Sequence, residues 1–392
     1  MAVRIRRGED ADAEQLIALI GACWALYPGV RMDVDGEMPE LRRLATYYAR
    51  VGGALWVAAD GGTVVGMAAT RPHDAGTAVP ATGVIANGEP TGGIASGEAT
   101  RASVIARSEA TRQSPAGEAP VLSAPSEQSP AWEICRVYVH PSHHGCGIAH
   151  RLLDTAEAHA SAAGAARLVL WSDTRFDRAH RFYEKRSYVR AGPIRVLHDI
   201  SHSLEFAYAK PVDGIEVLDA TAAASAERRL SDILIACVAG GAGVSFLPPL
   251  APATARAFWK RATTDIAAGG QILLGGWVDG VLAGTVTLHI GTPPNQPHRA
   301  EVQKLLVHPD ARRHGLARAL MQRAELEAAR AGRSLLTLDT RAGHAAEHLY
   351  RAMGWQEAGR IPGYALNADG TPGDTVFFWK TMQIASDGKP PA

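Results

Sequence analysis

The chain of 392 residues holds 40 Lys and Arg against 40 Asp and Glu, and 46% of its residues are apolar. The zero balance removes any global pull toward nucleic acid or an anionic membrane, and the apolar fraction is that of a globular protein. At roughly 150 residues per domain the length exceeds one core and predicts two or three units.

The opening "MAVRIRRGED" lacks the apolar core of a secretory signal. No apolar run reaches the ~20 residues a membrane helix needs, so a cytoplasmic protein with no membrane partner is expected. A short strand at 3–6 and a helical stretch come first. "ALWVAADGGTVVGMAATR" then reads strand, glycine turn, strand, the pattern of a hairpin. From about 74 to 130 the composition turns to Gly, Ala, Ser, Thr and Pro with almost no aromatics. Such a segment buries too little apolar surface to offset chain entropy, and a disordered insertion is expected there. The strand "EICRVYV" follows, ends in His-Pro, and passes through "HHGCG" into a helix whose apolar face is set by Ile148, Leu152, Leu153 and Ala156. Next come the strand "ARLVLWSDTR", a tyrosine-bearing helix in "AHRFYEKRSYVRAG", and a hairpin-like tail.

The same order then repeats. "VHPSHHGCGIAHRLL" from Val139 is answered by "VHPDARRHGLARALM" from Val307, an offset of 168 positions. "RSLLTLDTR" and "AEHLYRAMGWQEAG" answer the later strand and the tyrosine helix, and "EVQKLLV" and "QILLGGWVDGVLAGTVTL" answer the earlier segments. A boundary is expected at the Pro- and Gly-bearing "AKPVDG", giving units at 1–210 and 211–384 and a flexible tail at 385–392. Both units read as α/β, with a mixed sheet flanked by helices. Cys23, Cys135, Cys146 and Cys237 lie far apart without CxxC or Cys/His zinc spacing, and the histidines form no HExxH. Reduced thiols and no metal are the expectation.

A strand that turns through glycines into a helix aims backbone N–H groups outward at the positive end of the helix dipole, an arrangement that binds phosphate. The loops are His144, Gly145, Cys146, Gly147, Ile148 and Ala149, and Arg312, Arg313, His314, Gly315, Leu316 and Ala317. Either could be an ordinary strand-to-helix turn, but repetition of the whole surrounding order favours phosphate binding. No Lys-Ser/Thr follows, and neither loop is a GxGxxG with an acidic residue ~20 positions on at a strand end, which disfavours a P-loop triphosphatase and a Rossmann dinucleotide site.

The basic residue and glycines after a Val-x-Pro strand end, the helix, the strand and the Ala-x-x-x-Tyr helix together resemble the acetyl-CoA-binding core of the GNAT N-acetyltransferase superfamily. The resemblance covers both halves and implies two tandem GNAT folds. Each would carry a splayed strand pair, with loop amides cradling the CoA pyrophosphate and the pantetheine arm between the strands. The strand ends Val137, Tyr138 and Val139, and Leu305, Leu306 and Val307, would line that slot and offer backbone N–H groups to an oxyanion. His144 stands where the family has Arg or Gln, Arg313 where Gly is frequent, and Ser187 where Gly follows the tyrosine helix. Phe176 and Gly343 replace an Asn that often precedes the tyrosine.

The resemblance implies Tyr183 and Tyr350 as general acids; each could equally be core packing. Glu133 and Glu301 are the candidate bases, or carboxylates on a solvated strand face. For the acceptor, the first half offers Tyr27, Asp33 and Asp35. The second offers Phe246 and Tyr364, and with "FFWK" at 377–380 looks similar to tabtoxin-resistance-type enzymes. The expected function is acetyl-CoA-dependent N-acetylation of a small primary amine or amino-acid-like compound by a monomer or homodimer. The second half is expected to be the better-preserved catalyst, as in the unequal tandem units of mycothiol synthase. The alternatives are a CoA-binding or protein-interaction scaffold with one or both units inactive, and a protein acetyltransferase.

Overall fold

The computed structural model describes residues 3–73 and 130–383. The insertion expected over 74–130, except its last residue, and the tail expected at 385–392 lie outside the described residues.

The first unit runs β1 (Arg4–Arg7), α1 (Ala13–Trp24), α2 (Leu44–Arg50), β2 (Ala54–Asp60), β3 (Thr63–Pro72), β4 (Ala131–Val139), α3 (Ile148–Ala162), β5 (Arg167–Asp173), α4 (Asp177–Lys185), β6 (Val189–Arg190), β7 (Arg195–Val196) and β8 (Leu204–Pro211). Its sheet is ordered β1-β2-β3-β4-β5-β8-β6, with β7 also on β8. The second unit runs β9 (Gly214–Leu218), α5 (Ala220–Ala239), α6 (Pro252–Ala267), β10 (Gln271–Val278), β11 (Val281–His289), β12 (Arg299–Val307), α7 (Leu316–Arg330), β13 (Leu335–Arg341), α8 (Ala345–Ala352), β14 (Gln356–Leu366) and β15 (Pro372–Thr381). Its sheet is ordered β9-β10-β11-β12-β13-β15-β14. The fold is therefore two tandem mixed α/β units, each a central sheet flanked by helices.

In each sheet the parallel pair is the one that later parts. β4 meets β5 only at Ala131, Trp132 and Glu133, and β12 meets β13 only at Arg299, Ala300 and Glu301. Beyond the glutamates the strands separate. A bulge follows at once: Arg136 and Lys304 both sit at φ 51°, and each strand there sets two residues against one of its antiparallel neighbour. The bulge turns the strand away from its parallel partner, and each hairpin neighbour follows it.

The helices after the loops are held by apolar stripes: Ile148, Leu152, Leu153, Ala156 and Ala160 on α3, and Leu316, Leu320, Met321, Ala324 and Ala328 on α7. Close approach to the sheet depends on glycine. A Cβ at Gly284 would lie 2.9 Å from the Leu306 carbonyl and 3.0 Å from Leu316 and Leu320. One at Gly66 would lie 3.0 Å from Leu152. These two glycines let the helix start settle beside the strand end.

The units share a core. Val189 of β6 packs with Leu218, Ala222, Leu230 and Trp277 of the second unit. The backbone N–H of Arg190 donates to Ser225 Oγ at 3.0 Å, and Arg167 pairs with Glu216. Trp277, fully buried, donates its indole N–H to the Ser187 carbonyl at 3.0 Å. Ser187 holds φ 64°, where the matching Gly354 holds 79°. The left-handed turn is therefore kept without glycine, with its carbonyl fixed by the other unit. Trp277→Phe leaves that carbonyl buried without its donor and is expected to cost about 1–3 kcal/mol. Urea denaturation reads the loss; an unchanged midpoint would show that the bond adds nothing to stability.

Candidate active site

Each loop begins with a fixed turn. The His140 and His308 imidazoles accept from the backbone N–H of Ser142 and Asp310 at 3.3 and 3.4 Å. Gly145 and Gly147 then hold φ 83° and 75°, and Arg313 and Gly315 hold 68° and 77°. A Cβ at any of the three glycines would meet nothing within 4 Å. Backbone conformation rather than crowding calls for glycine here, and the surface over the loop is open. Gly147 and Gly315 are also the N-caps of α3 and α7, so the exposed amides lie at the positive end of a 15-residue helix in each unit.

The loop is pinned to the strand end in the same way twice. His144 Nε2 donates to the Val139 carbonyl at 2.9 Å, and Arg312 Nε to the Val307 carbonyl at 3.3 Å. Cys23 of α1 and Cys237 of α5 each donate Sγ–H to those same carbonyls at 3.3 Å. Burial raises both thiols above the usual range, Cys23 to about 11, so they act as neutral donors. Burial and Arg178 lower the His144 imidazole, so it brings no fixed charge to its loop. Cys146 is exposed at the loop crest.

In unit 1 a cleft of about 610 Å³ runs from this loop along the parted strands. Gly145, Gly147, Ile148 and Ala149 form its head, and Val137, Tyr138 and Val139 its floor. Arg178, Arg181, Lys185 and Tyr183 of α4 and its end line the opposite wall, and Trp24 and Tyr27 close one end. Tyr27 packs on Phe176 at 4.5 Å, so the aromatic in place of the family's Asn fills space instead of offering a polar contact. Trp24 Nε1 donates to the Tyr138 hydroxyl at 3.1 Å.

Unit 2 has a cleft of about 400 Å³ lined by Glu301, Gln303, Lys304, Leu305, Asp339 and Tyr350, reaching Arg312 of the loop. A second cavity of about 320 Å³ carries Phe246, Leu247, Tyr364, Leu366 and Asn367. Gly243, Ser245, Asp339 and Arg341 belong to both, so the two spaces meet there. Leu306 points the other way, into the core with Trp259 and Trp277. Arg313, His314, Gly315, Leu316 and Ala317 are not part of either wall.

Tyr183 and Tyr350 are each buried in a cluster yet line a cleft, and no described residue hydrogen-bonds either hydroxyl. Burial raises both phenols well above the usual range, reinforced by Tyr138 around Tyr183 and by the Asp339 charge around Tyr350. Both keep their protons at neutral pH, as a proton donor must.

The carboxylates separate the units. In unit 1 four near the parted strands are held by arginines: Glu133 by Arg71 at 2.7 Å, Glu40 by Arg136 of the bulge at 2.5 Å, Asp173 by Arg175 at 2.5 Å and Glu205 by Arg195 at 2.5 Å. Glu133 therefore stands outside the cleft lining, in an ion pair. In unit 2 His289 takes the strand position of Arg71, Lys304 that of Arg136 and Phe377 that of Glu205. Glu301 accepts from Gln303 Nε2 at 2.9 Å, and Arg299 lies 3.9 Å from its other oxygen. Among the described residues no side chain donates to Asp339. Its oxygens face the open cleft, yet the enclosing walls and the neighbouring Glu301 charge push its carboxyl above the usual range, against the pull of Lys304. Burial in turn lowers the Lys304 ammonium.

Asp33 and Asp35, expected to meet an acceptor, do not reach a cleft. Asp33 Oδ1 accepts from Gly36 N at 2.8 Å in a surface turn, and Asp35 pairs with Arg42 at 2.6 Å on the exposed side. Alternation of acidic residues in a Gly-Met-Pro-flanked turn satisfies the backbone instead. Sequence reasoning passed over Asp339, Lys304 and Arg341. The signal for Asp339 and Arg341 was the Asp-Thr-Arg repeated at the ends of the matching strands; Lys304, at the bulge of β12, carried none. Among the described residues there is no group of three or more His, Cys, Asp or Glu placed to hold a metal, and no helix is long and apolar enough to cross a membrane.

The acetyltransferase (GNAT) family matches residues 24–188 and 245–355. An uncharacterized N-acetyltransferase from the hisH-hisA intergenic region of Azospirillum brasilense is 35% identical over 114 residues, which is 29% of this chain and 66% of that relative's length. Among solved structures, a putative acetyltransferase of Salmonella typhimurium with its cofactor acetyl-CoA is similar at 19% identity and TM-score 0.37, covering 46% of this chain and 98% of that one. A phosphinothricin acetyltransferase of Sinorhizobium meliloti in complex with acetyl-CoA gives 18% identity and TM-score 0.38, covering 46% and 94%. With the family's pattern matched in both units and across most of the chain, this protein belongs to the acetyltransferase (GNAT) family.

Proposed function

We propose that the chain transfers the acetyl group of acetyl-CoA to the amine of a small amino-acid-like acceptor, and that unit 2 does the chemistry. The observation that carries this is the pair Glu301 and Asp339 beside Tyr350: two carboxylates on the cleft, Asp339 with no arginine partner among the described residues and Glu301 with Arg299 no nearer than 3.9 Å, next to a protonated phenol. Both clefts fit an acyl-CoA. The unit 1 cleft holds the open amides of its helix start, which suit a pyrophosphate, the unit 2 cleft reaches its loop at Arg312, and the parted strands of both suit a slender arm. Bound there, acetyl-CoA supplies the thioester as acyl donor.

The residues divide the proton movements. An acceptor arrives as an ammonium, which the carboxylates attract and from which Glu301 takes a proton, directly or through water. The nitrogen then forms its bond to the acetyl carbon as the carbon–sulfur bond breaks; Tyr350 gives its phenolic proton to the departing sulfur, and the second proton shed by the new amide nitrogen restores the phenol through water. Backbone N–H groups of β12 past the bulge, around Leu305 to Val307, serve the developing oxyanion. Resemblance of the "FFWK" and "IPGYALNADG" segments to tabtoxin-resistance-type enzymes supports an amino-acid-like acceptor, as do Phe246 and Tyr364 in the adjoining cavity.

Unit 1 fits the scaffold reading better. Its cleft is larger and carries Arg178, Arg181 and Lys185 for phosphates, but its carboxylates are spent on arginines. Here acyl-CoA binds with little turnover.

Tyr350→Phe is expected to lower kcat by roughly 10²-fold or more, and Tyr183→Phe by no more than about threefold. Free-thiol release with an amine panel measures both; equal, negligible losses would remove the general-acid assignment. If no amine accelerates thiol release while CoA still binds, the chain is a scaffold. Gly147→Ala and Gly315→Ala force a Cβ into the left-handed region at about 1–2 kcal/mol, and each should weaken CoA binding to its unit roughly tenfold by calorimetry.

A further inference from the structure

The same tripeptide stands at the end of the matching strands: β5 closes on Asp173 with Thr174-Arg175 just beyond it, and Asp339-Thr340-Arg341 are the last three residues of β13. In unit 1 the tripeptide closes on itself. Arg175 donates Nε and Nη2 to the two oxygens of Asp173 at 2.8 and 2.5 Å, its backbone N–H adds a third bond at 2.9 Å, and Ser203 Oγ holds Nη2 at 2.9 Å. Though burial opposes it, these bonds keep the Asp173 carboxyl below its usual range. In unit 2 the same residues stay apart. Among the described residues, no hydrogen bond or ion pair joins Arg341 to Asp339, and both line the space where the two cavities of unit 2 meet.

We propose that the open Asp339–Arg341 pair is a zwitterion site, which takes the ammonium of a free amino acid on Asp339 and its carboxylate on Arg341. This rests on the reading of unit 2 as the catalytic half. Residues two apart on a strand point to the same face and stand about 6–7 Å apart, a span that one amino-acid headgroup bridges with a hydrogen bond at each end. The guanidinium fork matches a carboxylate in two parallel bonds. Asp339 touches the Tyr350 cleft as well, so an ammonium held there lies at the acyl-transfer end of the slot. The acceptor's side chain falls into the cavity walled by Phe246, Leu247, Tyr364 and Leu366, which suits a medium-sized apolar or aromatic group. The acidic position that crowds this region in unit 1, Glu205 opposite Asp173, is Phe377 opposite Asp339, while Asp374 on β15 lines the same cavity as Arg341. In unit 1, Arg175 already occupies Asp173, and the same acceptor finds no vacancy.

Calorimetry on the full chain with CoA present compares L-leucine with isoamylamine and L-tyrosine with tyramine, each pair differing only in the carboxylate. The wild type should bind the amino acid roughly tenfold or more tighter than its amine. Arg341→Met should abolish that preference, Arg341→Lys should restore part of it, and Asp339→Asn should weaken amino acid and amine alike. Equal binding of acid and amine by the wild type, a preference that survives Arg341→Met, or no binding of any of the four probes would each overturn the zwitterion site. Thiol release read in parallel keeps the two readings separate. Amino acids that bind through Arg341 without being acetylated sink transfer by unit 2 and leave the site standing; amines acetylated as fast as amino acids sink the site and leave transfer standing.

Discussion

The parting of one parallel strand pair after three residues is the constraint on which the rest of each unit depends. A parallel pair kept in register to the strand ends would bond its own amides across the sheet. Because β4 leaves β5 after Glu133, and β12 leaves β13 after Glu301, those groups turn into an open slot instead. The bulges at Arg136 and Lys304 make the separation persist, since the extra residue rotates the strand and keeps it on its antiparallel neighbour. The tyrosine helix then crosses the gap, and its phenol becomes both core and cleft wall. Closing the strands would remove the slot, the free amides and the reason for the tyrosine's position together.

What the chain's sequence reveals is the part governed by backbone rules. Glycines at 145, 147 and 315 announce left-handed φ, the stripes on α3 and α7 announce buried helix faces, and the hairpins follow from strand–turn–strand patterns. Arg313 shows the limit of that rule, since it holds φ 68° where its counterpart is Gly145. The family's slot and tyrosines are legible because they are fixed by the order of elements. Charge state is not. Glu133 and Glu301 share a residue type, a strand position and a spacing to the loop, yet only Glu133 has an arginine opposite it on the neighbouring strand. That partner lies 62 residues upstream of Glu133, and no local pattern ties the two together. Asp33 and Asp35 fail for the converse reason, being satisfied within their own turn and by Arg42.

The contrast between the clefts also argues against a simple ranking of the units by how well their loops match the family. His144 replaces the usual basic residue in unit 1, but its side chain does what Arg312 does in unit 2, donating to the strand-end carbonyl. A neutral imidazole suffices for that bond. The loop side chain is thus a pin for the turn, while the groups left open at the helix start are amides that any residue supplies. Loop typicality then says little about donor binding, and unit 1 in fact has the larger cleft reaching its loop.

Where the units truly differ is in what an incoming cation would meet. A carboxylate already paired to arginine offers an ammonium little net attraction, because the existing pair must be broken or shared, and the guanidinium beside it repels the newcomer. Unit 1 presents this surface at Glu133, Asp173 and Glu205 alike. Unit 2 carries a lysine at its bulge, and burial lowers that ammonium's pKa from its usual range. Around the parted strands the two copies thus differ in where their counterions stand. An incoming cation meets paired carboxylates in unit 1 and, in unit 2, an Asp339 with no side-chain donor among the described residues.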